Sequence, residues 1–271
     1  MATFKNDIIL VAGSGDFALQ AANFLNDKKK LNHIILLSKN YKVSKQYKKL
    51  VSNFDIRDIE NIIKFIKKKF ISNILIIGYV KLPPINEIKL KITSKLILSK
   101  NFFFNDINHQ SKILKKFIES KNLKLLSQKN VFDKLLVSYY DQIIKKNHKN
   151  IHKYILNNSS VIKKIFSLNL SQSLVMDGNR IITIEDIFGT NNMIKKFKSL
   201  NNQFKNLVLI KSVKKDQINE IDFPIIGNQT LELLIKFNFK AVCLVNKSII
   251  IANKKSFIEK IYQSKLSLIV I

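Results

Sequence analysis

Five apolar residues, Ile8 to Ala12, run directly into Gly13-Ser14-Gly15. The chain then continues into a stretch whose apolar positions Phe17, Ala21, Phe24 and Leu25 recur at helical spacing. A strand that ends in a glycine turn and leaves as a helix opens a βαβ unit, because glycine tolerates the backbone angles that fold the chain back over its own strand. The alternation goes on. His33 to Leu37 reads as a second strand, Ile59 to Phe70 as a helix, Ile74 to Ile77 as a third strand and Ile107 to Glu119 as another helix. Such an order specifies a small parallel sheet flanked by helices. A further helix is expected over Phe132 to Lys145.

The pattern changes after the polar stretch Asn147 to Ser160, which reads as a break between domains. Ser173 to Met176 and Arg180 to Ile184 form an expected hairpin, since Asp177-Gly178-Asn179 supplies the positive-φ residue its turn needs. A short helix follows over Asn191 to Phe197, and Leu207 to Ile210, Ala241 to Val245, Ser248 to Ile251 and Leu266 to Val270 read as strands. With 271 residues and 46% apolar content, the chain accommodates two modest cores. The expected architecture is α/β: a Rossmann-like parallel-sheet domain over residues 1–150, then an α+β domain over 151–271.

The formal charge of +28 raises the question of nucleic acid or an anionic membrane. Of the 47 basic residues, all but Arg57 and Arg180 are lysine, and they are spread along the chain. Specific nucleic-acid readers concentrate arginine and add aromatic stacking platforms. Neither is evident, so no specific nucleic-acid partner is expected, and weak attraction to an anionic inner leaflet is the functional alternative. No apolar run reaches the roughly 18 residues of a membrane span. The Met-Ala-Thr-Phe-Lys start has no signal-peptide core, so a cytoplasmic location is expected, with peripheral contact to the inner membrane. The single cysteine, Cys243, lies in a strand-like apolar run and reads as a core residue. His148 and His152 share an i, i+4 spacing, but no further ligand accompanies them, and they read as a solvated helix face.

Two segments carry chemistry. Gly13-x-Gly15-x-x-Ala18, between strand and helix, fits a turn that brings phosphate close to a helix N-terminus, although such a turn also serves tight packing. A nicotinamide dinucleotide site needs an acid at the end of the second strand, where this chain has Ser38-Lys39. A nucleotide-type ligand is therefore favoured over a dehydrogenase cofactor. The second segment is Asp222-Phe223-Pro224-Ile225-Ile226-Gly227-Asn228-Gln229-Thr230. Proline holds Phe223 extended and Gly227 permits a turn, so one carboxylate sits on a stiff connection before an apolar-rich helix.

This segment resembles the D-x-P-x-x-G-x-x-T signature of the two-domain UDP-2,3-diacylglucosamine pyrophosphatases of the lipid A pathway, which are distinct from the calcineurin-like metallophosphatases. Ala12-Gly13-Ser14-Gly15-Asp16-Phe17 is similar to that family's opening turn, and Gly78-Tyr79-Val80-Lys81-Leu82-Pro83 to its G-x-V-x-x-P segment. Gln172 precedes a strand, Glu185 to Asn191 match the E-x-x-E-G-T-D block in part, and Lys211 ends a strand, all as in the family. The order runs nearly end to end.

The resemblance implies a homodimeric, Mg²⁺-dependent hydrolase that cleaves UDP-2,3-diacylglucosamine, a lipid-linked UDP-sugar, to UMP and 2,3-diacylglucosamine 1-phosphate. Asp222 is then the residue that orients or deprotonates water, or holds the metal, and Glu185 is the second carboxylate and metal ligand. Gly189, Thr190 and Asn191 hold a phosphate, Lys211 supplies charge, and Gln172 and Gln217 position the substrate. Gly13, Ser14, Gly15, Lys81 and Thr230 complete the expected binding set. The chain departs from the family at several places. Phe188 and Asn191 stand where acids are usual, and Ile218 and Glu220 replace an acid and an arginine. Ala18 replaces a proline and Leu82 an arginine. A catalytically weakened relative that binds a nucleotide-sugar or lipid is the alternative reading.

Overall fold

A strand that is apolar at every position has no face to give to water and belongs in the middle of a covered parallel sheet. That is where β1 (Ile8–Ala12) lies. The computed structural model describes residues 7–15, 17–37, 44–78, 107–199 and 204–271. Internal contacts divide the chain into two units, one comprising Met1–Val131 with Ile218–Asp222, the other Phe132–Gln217 with Phe223–Ile271.

In the first unit, β1 is followed by α1 (Phe17–Asp27), β2 (Leu31–Leu36), β3 (Val51–Asn53), α2 (Ile59–Lys68), β4 (Asn73–Ile77), α3 (Ile107–Glu119) and β5 (Lys124–Leu125). The sheet order is β3-β2-β1-β4-β5 and every pairing is parallel. The strand order reverses between β1 and β4, the place where doubly wound sheets bind ligands. Alternation along the strands sends Ile9, Val11, Ile35, Ile74 and Ile76 to one face, where they cluster with residues of α2 and α3. The apolar stripe of α2, Ile59, Ile62, Ile63 and Ile66, is buried there. α1 buries Phe17, Ala18, Ala21, Ala22 and Leu25 and takes no part in that cluster.

The second unit is built on a five-stranded mixed sheet, ordered β12 (Ser267–Val270), β10 (Ala241–Leu244), β8 (Leu207–Lys211), β6 (Ser173–Asp177) and β7 (Arg180–Ile184). β12, β10 and β8 are parallel, while β6 runs antiparallel to both β8 and β7. The expected hairpin is present, with Gly178 at φ +59° in its turn. One face packs against α4 (Lys149–Asn157) and α5 (Ser159–Ser167) through Ile155, Ile162 and Phe166. The other carries α6 (Thr190–Lys195), α7 (Asn228–Lys236) and α8 (Lys254–Gln263) through Met193, Leu231 and Phe257. A separate parallel pair joins β9 (Ile225–Ile226) to β11 (Ile250–Ile251). The fold is α/β, with a parallel-sheet first part and a mixed sheet plus helices in the second, as the sequence led us to expect.

Three local expectations fail for identifiable reasons. Phe132 to Lys145 is not a helix. It holds short turns at Asp133–Leu135 and Tyr139–Asp141, and its backbone bonds elsewhere, with Val137 N–H donating to Ile249 O and Ile143 N–H to Leu268 O, both at 2.9 Å. Tertiary pairing outweighs helix propensity there. Asn147 to Ser160 is mostly helical rather than a polar break, because Ile151 and Ile155, then Ile162 and Phe166, repeat at i, i+4 against the sheet. His148 and His152 are half-buried rather than solvated, and His148 Nδ1 lies 3.0 Å from Ser267 Oγ. Cys243 is fully buried in β10, and burial pushes its thiol pKa up.

Candidate active site

The register of β6 and β8 places Ser173 directly opposite Lys211 at the end of the ladder. Cross-strand partners project to the same face, so the two side chains meet. Lys211 Nζ donates to Ser173 Oγ at 2.9 Å and to Thr190 Oγ1 at 3.0 Å. Thr190 donates to Glu185 Oε1 at 2.9 Å, and Ser173 Oγ lies 3.1 Å from Thr190 Oγ1. Glu185 Oε2 is 3.7 Å from Lys211 Nζ. It is buried and has no hydrogen-bond partner among the described residues. Lys211 is only 3% exposed, so its charge is taken out of water and balanced by one carboxylate and two hydroxyls.

The turn between β7 and α6 makes this possible. Glu185 N–H donates to Ser173 O at 2.9 Å, which extends the hairpin pairing by one residue. Gly189 then adopts φ +85°, a left-handed geometry that brings Thr190 back over Glu185. Asp186 turns the other way. It pairs with Lys196 at 2.7 Å and accepts from Phe188 N–H, and these two bonds hold its carboxyl below the usual carboxylate range. Ile187 and Phe188 are exposed at the tip. Asn191 sits one residue beyond Thr190, and its Oδ1 accepts from Thr230 Oγ1 at 2.7 Å, which links α6 to α7.

Glu185, Gly189, Thr190, Asn191, Lys211 and Thr230 therefore form one connected group in the second unit. Gln172 is half-buried just before β6, and its carbonyl accepts from Ser212 N–H at 3.0 Å. Gln217 closes a local turn, its Oε1 accepting from Lys214 N–H at 3.1 Å. Ser173 was not singled out by sequence reasoning. The available signal was a polar residue opening a strand whose next three positions are apolar, and only the register shows what it faces.

Asp222 belongs to the first unit. Residues Ile218–Asp222 are held there by Gln128 N–H donating to Asn219 O at 2.8 Å and by a 2.9 Å ion pair between Lys115 and Glu220. Asp222 N–H itself donates to Ile218 O at 3.0 Å. At the switch point, Gly13 N–H donates to Ile77 O at 2.8 Å, and Ser14 and Gly15 are exposed. Gly78 packs so closely that an added Cβ would lie 2.6 Å from Ser14 O. The opening turn is thus locked to the end of β4. Lys81 lies outside the described residues.

Comparison with known families gives two matches. Residues 7–135 match the LpxI N-terminal domain and residues 142–269 the LpxI C-terminal domain. A search of the curated proteins gives no match. The two matched ranges follow one another in the family's own order and leave only short ends and one short connection uncovered. The chain belongs to the LpxI family, a UDP-2,3-diacylglucosamine hydrolase family of the lipid A pathway.

Proposed function

We propose that the protein hydrolyses the diphosphate of UDP-2,3-diacylglucosamine, releasing UMP and 2,3-diacylglucosamine 1-phosphate. The observation that carries this reading is the buried group Lys211–Thr190–Glu185–Ser173, a preset arrangement of one cation, one anion and two hydroxyls within the region matched to the LpxI C-terminal domain. Diphosphate cleavage demands positive charge near the phosphates and a water aimed in line. Lys211, fixed by its two hydroxyl acceptors, supplies charge without reorganisation. Thr190 and the N–H groups around Gly189 and Asn191 bind phosphate oxygen, with Gln172 and Gln217 positioning the substrate. Asp222 orients the water and takes its proton, and the Gly13-Ser14-Gly15 turn serves the nucleotide part.

Magnesium takes oxygen ligands and is commonly held by one or two carboxylates, waters and substrate phosphates. Glu185 fits that demand, with a buried oxygen that no hydrogen bond satisfies. The described residues contain no group of three or more His, Cys, Asp or Glu side chains placed to hold a metal. Glu185, with Asp222 as the resemblance implies, is the protein's part of the ligand set. When bound, the ion lends positive charge to the phosphates. We further take the enzyme to be a cytoplasmic homodimer, as the resemblance implies, that works at the anionic inner leaflet, a contact that its net charge of +28 favours. No helix among the described residues is long and apolar enough to cross a membrane.

Phe188 and Asn191 at positions of usual acids favour one alternative, a weakened relative that only binds its ligand. UMP release by the full chain at graded Mg²⁺, beside Glu185→Gln, separates the two. Turnover that rises with Mg²⁺ and drops at least ~100-fold in the variant supports the enzyme. Ligand binding without UMP release supports the alternative.

A further inference from the structure

Lysine runs that are scattered along the sequence meet at one edge of the first unit. Every pairing in its sheet is parallel, so each helix returns the chain to that same edge. The register sets the strand starts level. Ile8 of β1 faces Leu31 of β2 and Asn73 of β4, and Asn73 faces Lys124 of β5. Three strand spacings, about 14 Å, separate β2 from β5. The loop before β2 holds residues 28–30, all lysine and all exposed. The loop before β4 follows residues 67–69, also exposed lysines, and Lys121 and Lys124 flank the start of β5. Hydrogen bonds tie these loops to the sheet, with Ile8 N–H donating to Lys30 O at 3.0 Å and Lys124 N–H to Ser72 O at 2.7 Å. Acids are few among the described residues there. Asp7 accepts from Asn73 at 3.1 Å, Glu119 lies 3.9 Å from Lys115, and Asp27 stands exposed beside the lysines.

Lysines at helix ends complement the helix dipole, which accounts for part of this charge. Phe70 has no such account. The three loops leave their helices through residues of positive φ, Lys29 at +54°, Phe70 at +55° and Asn122 at +59°. Asparagine suits such a helix exit, whereas a bulky aromatic is disfavoured there. Phe70 is 98% exposed, so burial does not offset that cost. A ring held in water among lysines has the makeup of a membrane-surface contact, in which the ring enters the headgroup layer and the lysines meet lipid phosphates. Nucleic-acid readers rely instead on arginine and stacked aromatic platforms, and these loops contain no arginine.

We propose that this edge of the first unit, the lysines around Phe70, docks on an anionic phospholipid bilayer. The proposal rests on the lipid-hydrolase reading above and names the face that makes its membrane contact. The Gly13 turn lies at the carboxyl edge of the same sheet, so docking leaves that turn uncovered.

The test uses the full chain, sedimented with vesicles of phosphatidylglycerol and phosphatidylcholine in equal parts, or of phosphatidylcholine alone, at about 0.1 M salt. One variant neutralises the face, Lys67→Gln with Lys68→Gln and Lys69→Gln. A control removes the same charge from exposed positions of the second unit, Lys153→Gln with Lys163→Gln and Lys164→Gln. Phe70→Asn removes the ring but suits the backbone, so its melting temperature should not fall. Binding to the anionic vesicles alone is expected, weakened more than ~tenfold by the face variant, several-fold by Phe70→Asn and little by the control. Absent vesicle binding, equal loss in the face and control variants, or no effect of Phe70→Asn overturns the proposal. Tighter binding to duplex DNA than to the anionic vesicles, lost in the same face variant, gives the face to nucleic acid and also overturns it. UMP release from substrate in neutral detergent micelles should be the same in all four proteins. Vesicle binding that follows the face variants without any UMP release keeps the docking face and removes the hydrolase reading. UMP release without vesicle binding does the reverse.

Discussion

Lys115 on α3 and Glu220, 105 positions apart in sequence, form an ion pair at 2.9 Å. The pair ties the returning segment Ile218–Asp222 to the first unit and fixes the backbone that carries Asp222. In the sequence, Glu220 stands out as an acid where the family has a cation. In the structure its charge is spent on a lysine. Both side chains are partly shielded, so removing one costs modest stability, about 1 kcal/mol. Lys115→Ala should therefore lower kcat/KM several-fold with little change in the urea midpoint, and exchanging the two charges (Lys115→Glu with Glu220→Lys) should restore part of the loss. Unchanged kinetics in the single variant would show that this anchor does not matter for Asp222.

Gly78 makes a sharper demand. Its φ of +89° is unfavourable for any other residue, and an added Cβ would press on Ser14 O and the Gly13 carbonyl carbon. Gly78→Ala should destabilise the first unit by about 2 kcal/mol or more and displace the opening turn. Chemical denaturation measures the first effect, and weakened UMP binding measures the second.

The polar group of the second unit predicts an order of severity. Lys211→Met leaves Glu185 buried without its counter-charge and should cost about 3 kcal/mol. Ser173→Ala removes one acceptor from Lys211 and should cost about 1 kcal/mol. Thermal unfolding of the two variants beside the wild type checks the order, and equal effects would mean that Lys211 is not held as described.

Two histidines predict a pH dependence. His33 is buried against Ser52, and burial, then the nearby Lys69, lowers its pKa. His148 is lowered by burial, then by Lys240 and Lys145. Both are neutral in the fold, while the unfolded chain takes up protons near pH ~6.5. Their contribution to stability is complete above that value and is lost as pH falls through it toward their lowered folded values. The melting temperature should fall between pH 7.5 and 5, and fall less in His148→Gln.

The centre of the first sheet was legible because β1 is apolar throughout, β2 and β4 are mostly so, and α2 carries a clean apolar stripe, so local pattern and tertiary burial agree. Phe132 to Lys145 misled because its apolar residues are buried by pairing with Ile249 and Leu268, partners more than a hundred positions away. β3, β5 and β9, at two or three residues each, are too short to leave a period. In the site, Glu185, Thr190 and Lys211 were visible through the resemblance and come together as one group. Ser173 was not, since its role depends on register alone. The anchoring of Asp222 in the first unit rests on Lys115 and Gln128, which no local motif marks.

The most direct test is UMP release from UDP-2,3-diacylglucosamine by the purified full chain, with and without Mg²⁺, beside Asp222→Asn. The account predicts metal-dependent release that falls at least ~100-fold in the variant while substrate binding persists. Full turnover in Asp222→Asn would remove this residue from the chemistry, and no turnover in the wild type would contradict the hydrolase itself.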